Sequence, residues 1–271
     1  MRLNVRHSTV YEFDAPMRFV TQCHRLTPSD SASQRVIEWD IAAEGAEFGA
    51  DFVDGSGNHI STMTVEGPVE RIEIVVTGVV ETNDTSGILK NHREITSPRV
   101  FLQPTSLTQS SRQFEDLLED AVADISGSDH LARAHAIAAA VTASIKYTPG
   151  ATDAQSTASE ALEKGEGVCQ DHAHAMIVMA HLAGMPARYV TGYLLSGADG
   201  APEEASHGWA ELFIDGLGWI GFDPANECCP DDRYIRLSSG RDSIEAAPIR
   251  GVSRGGGGEA MDVSVMVSAQ Q

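Results

Sequence analysis

No run of about 18 consecutive apolar residues interrupts the 271-residue chain, so nothing in it reads as a membrane-crossing helix. The first residues, Met1 to His7, lack the apolar core of a secretory signal, and a soluble, cytoplasmic protein is the expectation. Basic residues are scarce: 19 Lys and Arg stand against 39 Asp and Glu, for a formal charge of −20. Such a field repels phosphate backbones and anionic lipid, so neither nucleic acid nor membrane is expected as a partner. Cysteines are few and irregularly placed, at 23, 169, 228 and 229, which excludes a disulfide framework and leaves reduced thiols. No second Cys or His pair at ligand spacing accompanies Cys228-Cys229, so these are expected to be incidental loop cysteines. His172, His174 and His181 have no HExxH frame around them, and no metal or cofactor is expected. The Gly255 to Gly258 run lacks a GxGxxG frame and a following Lys-Ser or Lys-Thr, so it is expected to be a flexible loop rather than a phosphate cradle.

What is present divides in two. Apolar residues make up 42% of the chain, enough for a sizeable core, and the length suits one larger and one smaller unit. Up to about Glu81 the pattern alternates, as in Leu3–His7, Val36–Ile41 and Ile60–Val65, and 69–80 is a long β-branched run. Turn clusters at Asp54–Asn58 and Glu66-Gly67-Pro68 separate these runs. The spacing predicts an antiparallel β-sandwich over residues 1–100 and a core over 101–271.

After Pro104 the period changes to that of helices. Phe114, Leu117, Leu118 and Ala121 share one face, and Leu131, Ala134, Ile137, Ala138, Val141 and Ile145 share another, with Asp129 placed to cap the second helix. A further helix starts near Cys169 and stops at Gly184. Strands follow at 187–195, His207 to Ile214 and Trp219 to Asp223, the last two joined by the Asp215–Gly218 turn, with a final strand at Met261 to Val267. The fold class expected is therefore α+β.

Cys169 stands in Gly167-Val168-Cys169-Gln170-Asp171, where a turn becomes a helix. Free amides and the positive end of the macrodipole at such a terminus favour thiolate over thiol. A thiol nucleophile also needs a base, and the base needs a group to orient it. His207 in His-Gly-Trp-Ala-Glu and Asp223 in Gly-Phe-Asp-Pro can fill those roles across a tight hairpin. The Cys169 amide could then donate to the oxyanion of a tetrahedral intermediate. Singly, each of these residues has a duller structural reading; in this order and with these flanks they point to catalysis.

Four blocks carry a resemblance: Gly-Val-Cys-Gln-Asp-His-Ala, Gly-Met-Pro-Ala-Arg-Tyr-Val-Thr-Gly-Tyr, His-Gly-Trp-Ala-Glu-Leu, and Gly-Trp-Ile-Gly-Phe-Asp-Pro-Ala-Asn, between about 145 and 230. Together they resemble the core of the transglutaminase-like superfamily of papain-type cysteine enzymes, and the first ~90 residues are similar to the β-rich domain that precedes this core in bacterial members. The resemblance implies a core in which the helix bearing the nucleophile packs on an antiparallel sheet. It makes Cys169 the nucleophile, His207 the base and later acid, and Asp223 the orienting carboxylate, acting through a thioester. Tyr147, Gln170 and Trp209 become candidates for lining the cleft. The family's Asp-Pro-Thr-Asn reads Asp-Pro-Ala-Asn here, which keeps Asp223 and Asn226. The calcium used by animal members would need an Asp-rich loop, and none is visible. A protease or amidase acting on a peptide or isopeptide amide is the first expectation, with a glutamine transamidase or a silent peptide-binding scaffold as alternatives; Arg188 is expected to form a structural salt bridge.

Overall fold

The computed structural model describes residues 1–195 and 206–270. Strands β1 (Arg2–His24), β2 (Gln34–Ala43), β3 (Ala46–Val53) and β4 (His59–Thr82) come first. Helices α1 (Arg112–Val122) and α2 (His130–Ser144), strand β5 (Lys146–Tyr147), helix α3 (Ala158–Lys164), strand β6 (Glu166–Gly167) and helix α4 (Cys169–Leu182) follow. Strands β7 (Ala187–Leu194), β8 (His207–Ile214), β9 (Gly218–Phe222), β10 (Tyr234–Gly240), β11 (Ile249–Arg254) and β12 (Glu259–Ala269) complete the chain.

Along β1 the residues Leu3, Val5, His7, Thr9, Tyr11 and Phe13 are buried in strict alternation, the period of a strand with one face on a core. β1 and β4 pair antiparallel from Arg2↔Glu81 to His24↔Ser61, with register shifts between Glu12 and Phe19. β2 flanks one half of β4 and β3 the other. Tyr11, Ile72 and Val76 from one half and Val20, Met63 and Val65 from the other pack into one cluster, so the sandwich is made by a single bent sheet. The Glu66-Gly67-Pro68 cluster, expected to be a turn, lies inside β4 opposite the irregularity of β1. A bulge is one of the few places where a strand tolerates proline, which has no N–H to donate.

The tail departs from the expected division at residue 100. β12 pairs with Leu3–Phe13 and β11 with Phe19–His24, so the last strands complete the first sheet instead of extending the core. Their alternation marks them as strands but carries no information about which edge they join.

The core sheet has the order β10-β7-β8-β9, with antiparallel neighbours. α4 is buried from Asp171 through Ala180, as befits a helix wrapped on every side. Its Ala173, Met176, Ile177 and Ala180 share a cluster with Tyr189, Ala210 and Leu212 of the sheet and with Phe114, Ile137 and Val141 of α1 and α2. Asp129 caps α2 by accepting from the Ala132 amide at 3.0 Å. α3, which periodicity did not predict, rests on a capping box between Thr157 and Glu160 and a left-handed Gly165 at its end.

Two buried amides from the first unit close the open edge of β10. Gln34 donates to the Arg236 carbonyl and accepts from the Arg236 amide, both at 2.8 Å. Asn58 treats Ser239 in the same way, at 2.9 and 2.8 Å. At the other edge, β9 is covered by the segment between the units, through Leu89 N–H to Trp219 O and Gly221 N–H to Gly87 O, each 2.9 Å. Both edges of the sheet that carries His207 are thereby held.

Candidate functional site

The start of α4 is built by its own third residue. Val168 is extended, with φ −116° and ψ −174°, and has no polar side chain to cap the helix. Asp171 folds back and its Oδ2 accepts from the Val168 amide at 2.7 Å and from Thr152 Oγ1 at 2.6 Å. A Cβ on residue 167 would stand 2.7 Å from both Asp171 Cβ and Oδ2, so glycine is needed there for the carboxylate to reach back. β5 and β6 pair in parallel and tie Tyr147 to Gly167. The ring of His172, 2% exposed, reaches Val168 O with Nδ1 at 2.9 Å and Ile145 O with Nε2 at 2.8 Å. The helix terminus is thus pinned from three sides, and Cys169, at its first position, keeps intermediate exposure.

His207 opens β8 and Asp223 directly follows β9, adjacent antiparallel strands joined by a tight turn. His207 Nε2 lies 2.6 Å from Asp223 Oδ2, which leaves Nδ1 for the hydrogen bond with the Cys169 thiol. Cysteine, histidine and aspartate therefore come together in that order. Asp223 is 1% exposed, and its Oδ2 also accepts from Tyr234 Oη at 2.9 Å and Asn226 Nδ2 at 2.8 Å. The Ala225 and Asn226 amides reach Oδ1 at 3.1 and 3.3 Å. Burial alone would raise the Asp223 pKa, but the hydrogen bond and charge of His207, with Asn226 and Tyr234, hold it below its ordinary value. For His207 burial pulls downward, and the bonds to Asp223 and Cys169 outweigh it, lifting the ring to about 10.

The remaining candidates separate. Tyr147 is half-exposed, with its ring 6.2 Å from that of His172. Gln170 has intermediate exposure and its amide points to Asp153 O at 3.5 Å. Trp209 is 2% exposed; its ring stacks on His207 at 6.1 Å and meets Tyr234 edge-on at 5.5 Å. Alternation explains this, since residues 207 and 209 share a face of β8 and only the first stands at the strand's end. Arg188 is fully buried, paired with Glu211 at 2.7 Å and Glu94 at 2.6 Å, and lies 3.9 Å from the Trp219 ring centroid. Cys228 is half-buried, with Sγ 3.2 Å from Tyr234 Oη, and burial raises the thiols of both Cys228 and Cys229.

His174 Nε2 accepts from the Ser243 amide at 3.1 Å, and His181 Nε2 faces Phe101 O at 2.8 Å. Among the described residues no group of three His, Cys, Asp or Glu is placed to hold a metal ion, and no helix is long and apolar enough to cross a membrane. Sequence reasoning missed Tyr234, Asp171 as a cap, and Thr152. Of these only Asp171 left a signal, an acid at the third position of a helix whose N-cap is valine.

A groove of about 510 Å³ borders the site, between α2 (His135, Ala139, Thr142) and the loop bearing Asp223, Glu227 and Cys228. A larger cavity, about 720 Å³, lies between the first sheet and residues 91–95 and contains none of the site residues.

Residues 119–224 match the family described as the transglutaminase-like superfamily, and residues 3–81 match the bacterial transglutaminase-like N-terminal region. An uncharacterized protein of Mycobacterium leprae is 30% identical, covering 98% of each chain. An uncharacterized protein of Mycobacterium bovis is 27% identical over 93% of this chain and 87% of its own. Among solved structures, a candidate cysteine protease from Cytophaga hutchinsonii superposes with a TM-score of 0.75 at 20% identity, over 99% of this chain and 90% of that one.

Proposed function

The chain belongs to the transglutaminase-like superfamily, and from that premise we propose that it is a cysteine-dependent acyl-transfer enzyme that hydrolyses peptide or isopeptide amide bonds. One observation carries this reading: His207 stands between a partly open thiol at a helix N-terminus and a buried, multiply bonded carboxylate. Cys169 Sγ attacks the amide carbon, forming the C–S bond, while His207 holds the thiol proton. The Cys169 amide, at the first position of α4, receives the negative oxygen. His207 then gives its proton to the amine as the C–N bond breaks, leaving a thioester. Water, deprotonated by His207, cleaves the thioester and restores the thiol. Asp223 keeps the ring oriented and stabilises its charged form throughout.

Transfer to an amine would need water excluded from the thioester. Cys169 retains solvent exposure among the described residues, which favours hydrolysis. The test is a peptide library incubated with the full chain, with and without a primary amine, and products read by mass. Backbone or isopeptide cleavage that is lost in Cys169→Ala and His207→Ala is expected. Amine incorporation would make transamidation the activity. Absence of both, with Cys169 alkylated no faster than Cys23, Cys228 or Cys229, would remove the enzyme reading.

A further inference from the structure

We propose that a cavity at the seam between the two units binds an oxyanion, a carboxylate or phosphate group held between the guanidiniums of Arg25 and Arg250. The site lies apart from Cys169 and does not rest on the reading of that residue as a nucleophile.

The cavity has a volume of about 380 Å³ and is walled from both units. Arg25 and Arg250 come from the first sheet, Asn58 from the loop before β4, and Ser239 and Arg241 from the end of β10 and the turn after it. Strand register brings the two sheet arginines together. Cys23 of β1 faces Arg250 of β11, and the ladder continues past β1 as the Arg25 amide donates to Pro248 O at 2.7 Å. Alternate residues of a strand share a face, so 23 and 25 lie on one side of this ribbon together with 248 and 250. Arg25 and Arg250 are thus diagonal neighbours, roughly 7–8 Å apart at the backbone, and two side chains of that length can close on one small group. The Ser56 and Thr96 hydroxyls, 3.4 Å from each other, stand in the same wall as further donors.

Basic residues number 19 against 39 acids in the whole chain, yet three arginines line this one cavity beside two carboxylates, Asp54 and Glu245. Both carboxylates are committed elsewhere. Asp54 Oδ1 accepts from the Ser56 and Asn58 amides at 2.9 and 3.0 Å, and Oδ2 from Asn58 Nδ2 at 2.9 Å. Glu245 is gripped by Arg241, whose Nε lies 2.9 and 3.1 Å from its two oxygens and whose amide lies 3.0 Å from Oε2. Arg250 is exposed and adds its charge to that carboxylate, but among the described residues neither it nor Arg25 forms an ion pair. Arg25 Nε and Nη1 are buried without a hydrogen-bond partner. A guanidinium cannot shed its proton, and a charge taken partly out of water is costly unless an opposite charge stands near it. Nη2 is neither sealed nor bonded, and it is the end of the group that a ligand in the cavity meets. With the neighbouring acids tied to other donors, the compensating charge has to come from that side. Carboxylate and phosphate match the planar donor fork of arginine, which a halide does not.

The experiment titrates the full chain with inorganic phosphate and, separately, with citrate, each against sodium chloride at the same ionic strength, by isothermal calorimetry and melting temperature. Saturable binding of at least one oxyanion with a Kd below about 1 mM is expected, with a rise in melting temperature that follows it. Arg250→Gln, which replaces an exposed side chain, is expected to weaken binding about tenfold or more, and Arg25→Gln to do the same. Arg112→Gln, on α1 and outside the cavity, should leave binding as it is. A response to phosphate alone would assign the site to a phosphate-bearing ligand, and a response to citrate alone to a carboxylate, and either upholds the proposal. No binding, a rise that chloride matches, or binding that Arg250→Gln retains in full would overturn it, since the anions would then act only on net charge or as excluded solutes. Should Arg25→Gln not fold, Arg250→Gln decides alone.

Discussion

At the scale of single residues, the site is organised around the charge on Asp223. Five donors converge on its two oxygens, and three of them, from His207, Asn226 and Tyr234, share Oδ2. A carboxylate so supplied stays ionised despite burial, and its hydrogen bond and charge, together with those of Cys169, lift His207 against burial from an ordinary value of 6.5 to about 10. The sign of the consequence for stability follows from linkage. The folded ring binds its proton more tightly than the unfolded one, so its contribution is complete below about pH 6.5 and is lost as pH rises through about 10. Denaturant titrations of the unaltered chain and His207→Gln, at about pH 6 and about pH 10.5, check this. The stability difference between them is expected to narrow at the higher pH, and a constant difference would show that the His207–Asp223 pair holds no proton that the unfolded chain lacks.

At the scale of elements, what matters is the first turn of α4, because it fixes the sulfur. Asp171→Ala removes the acceptor of the Val168 amide and of Thr152, and losing such a cap costs about 1–2 kcal/mol. It also frees the loop carrying Thr152 from the helix. A lower melting temperature together with slower alkylation of Cys169 is expected. Thr152→Val, which leaves the Val168 bond intact, should lie between the two. Full alkylation in a destabilised Asp171→Ala would show that the cap serves the helix and not the sulfur. The start of this helix was legible in the sequence because a glycine-broken turn and an apolar stripe meet at Cys169, and the β8–β9 hairpin because its strands alternate around Asp215–Gly218. Tyr234 was not legible: it lies in the next strand, and only the pairing of β10 with β7 brings it under Asp223. α3 escaped because seven residues are too few for a period, although its capping box and Gly165 were on view. How deep Trp209 lies was not legible, because the motif gives its neighbours in sequence and not its distance from the open end of the strand face it shares with His207.

At the scale of the whole molecule, the two units are bound by more than a linker. The chain leaves the first sheet after β4, builds the core, and returns as β11 and β12 to both ends of β1. Gln34 and Asn58 then present their amides to β10 as a neighbouring strand would, each exchanging two hydrogen bonds with one residue's backbone. His7 of β1 meets Tyr193 of β7 at 2.8 Å in the same buried seam. Because β10 carries Tyr234, and β7 pairs on its other side with β8, which carries His207, an edge fixed from the first unit also holds the relay. A single cooperative unfolding transition is therefore expected by calorimetry for the intact chain. The double variant Gln34→Ala, Asn58→Ala leaves four backbone groups of β10 in a buried seam without partners. At about 1–3 kcal/mol for each stranded group, reduced by whatever water enters, the loss should be several kcal/mol. If the seam is what makes the units one, the variant should also separate the transition into two and depress activity at temperatures where the first sheet is still folded. An unsplit transition with activity unchanged would mean that the returning strands alone unite the molecule, and that the amides merely fill an edge.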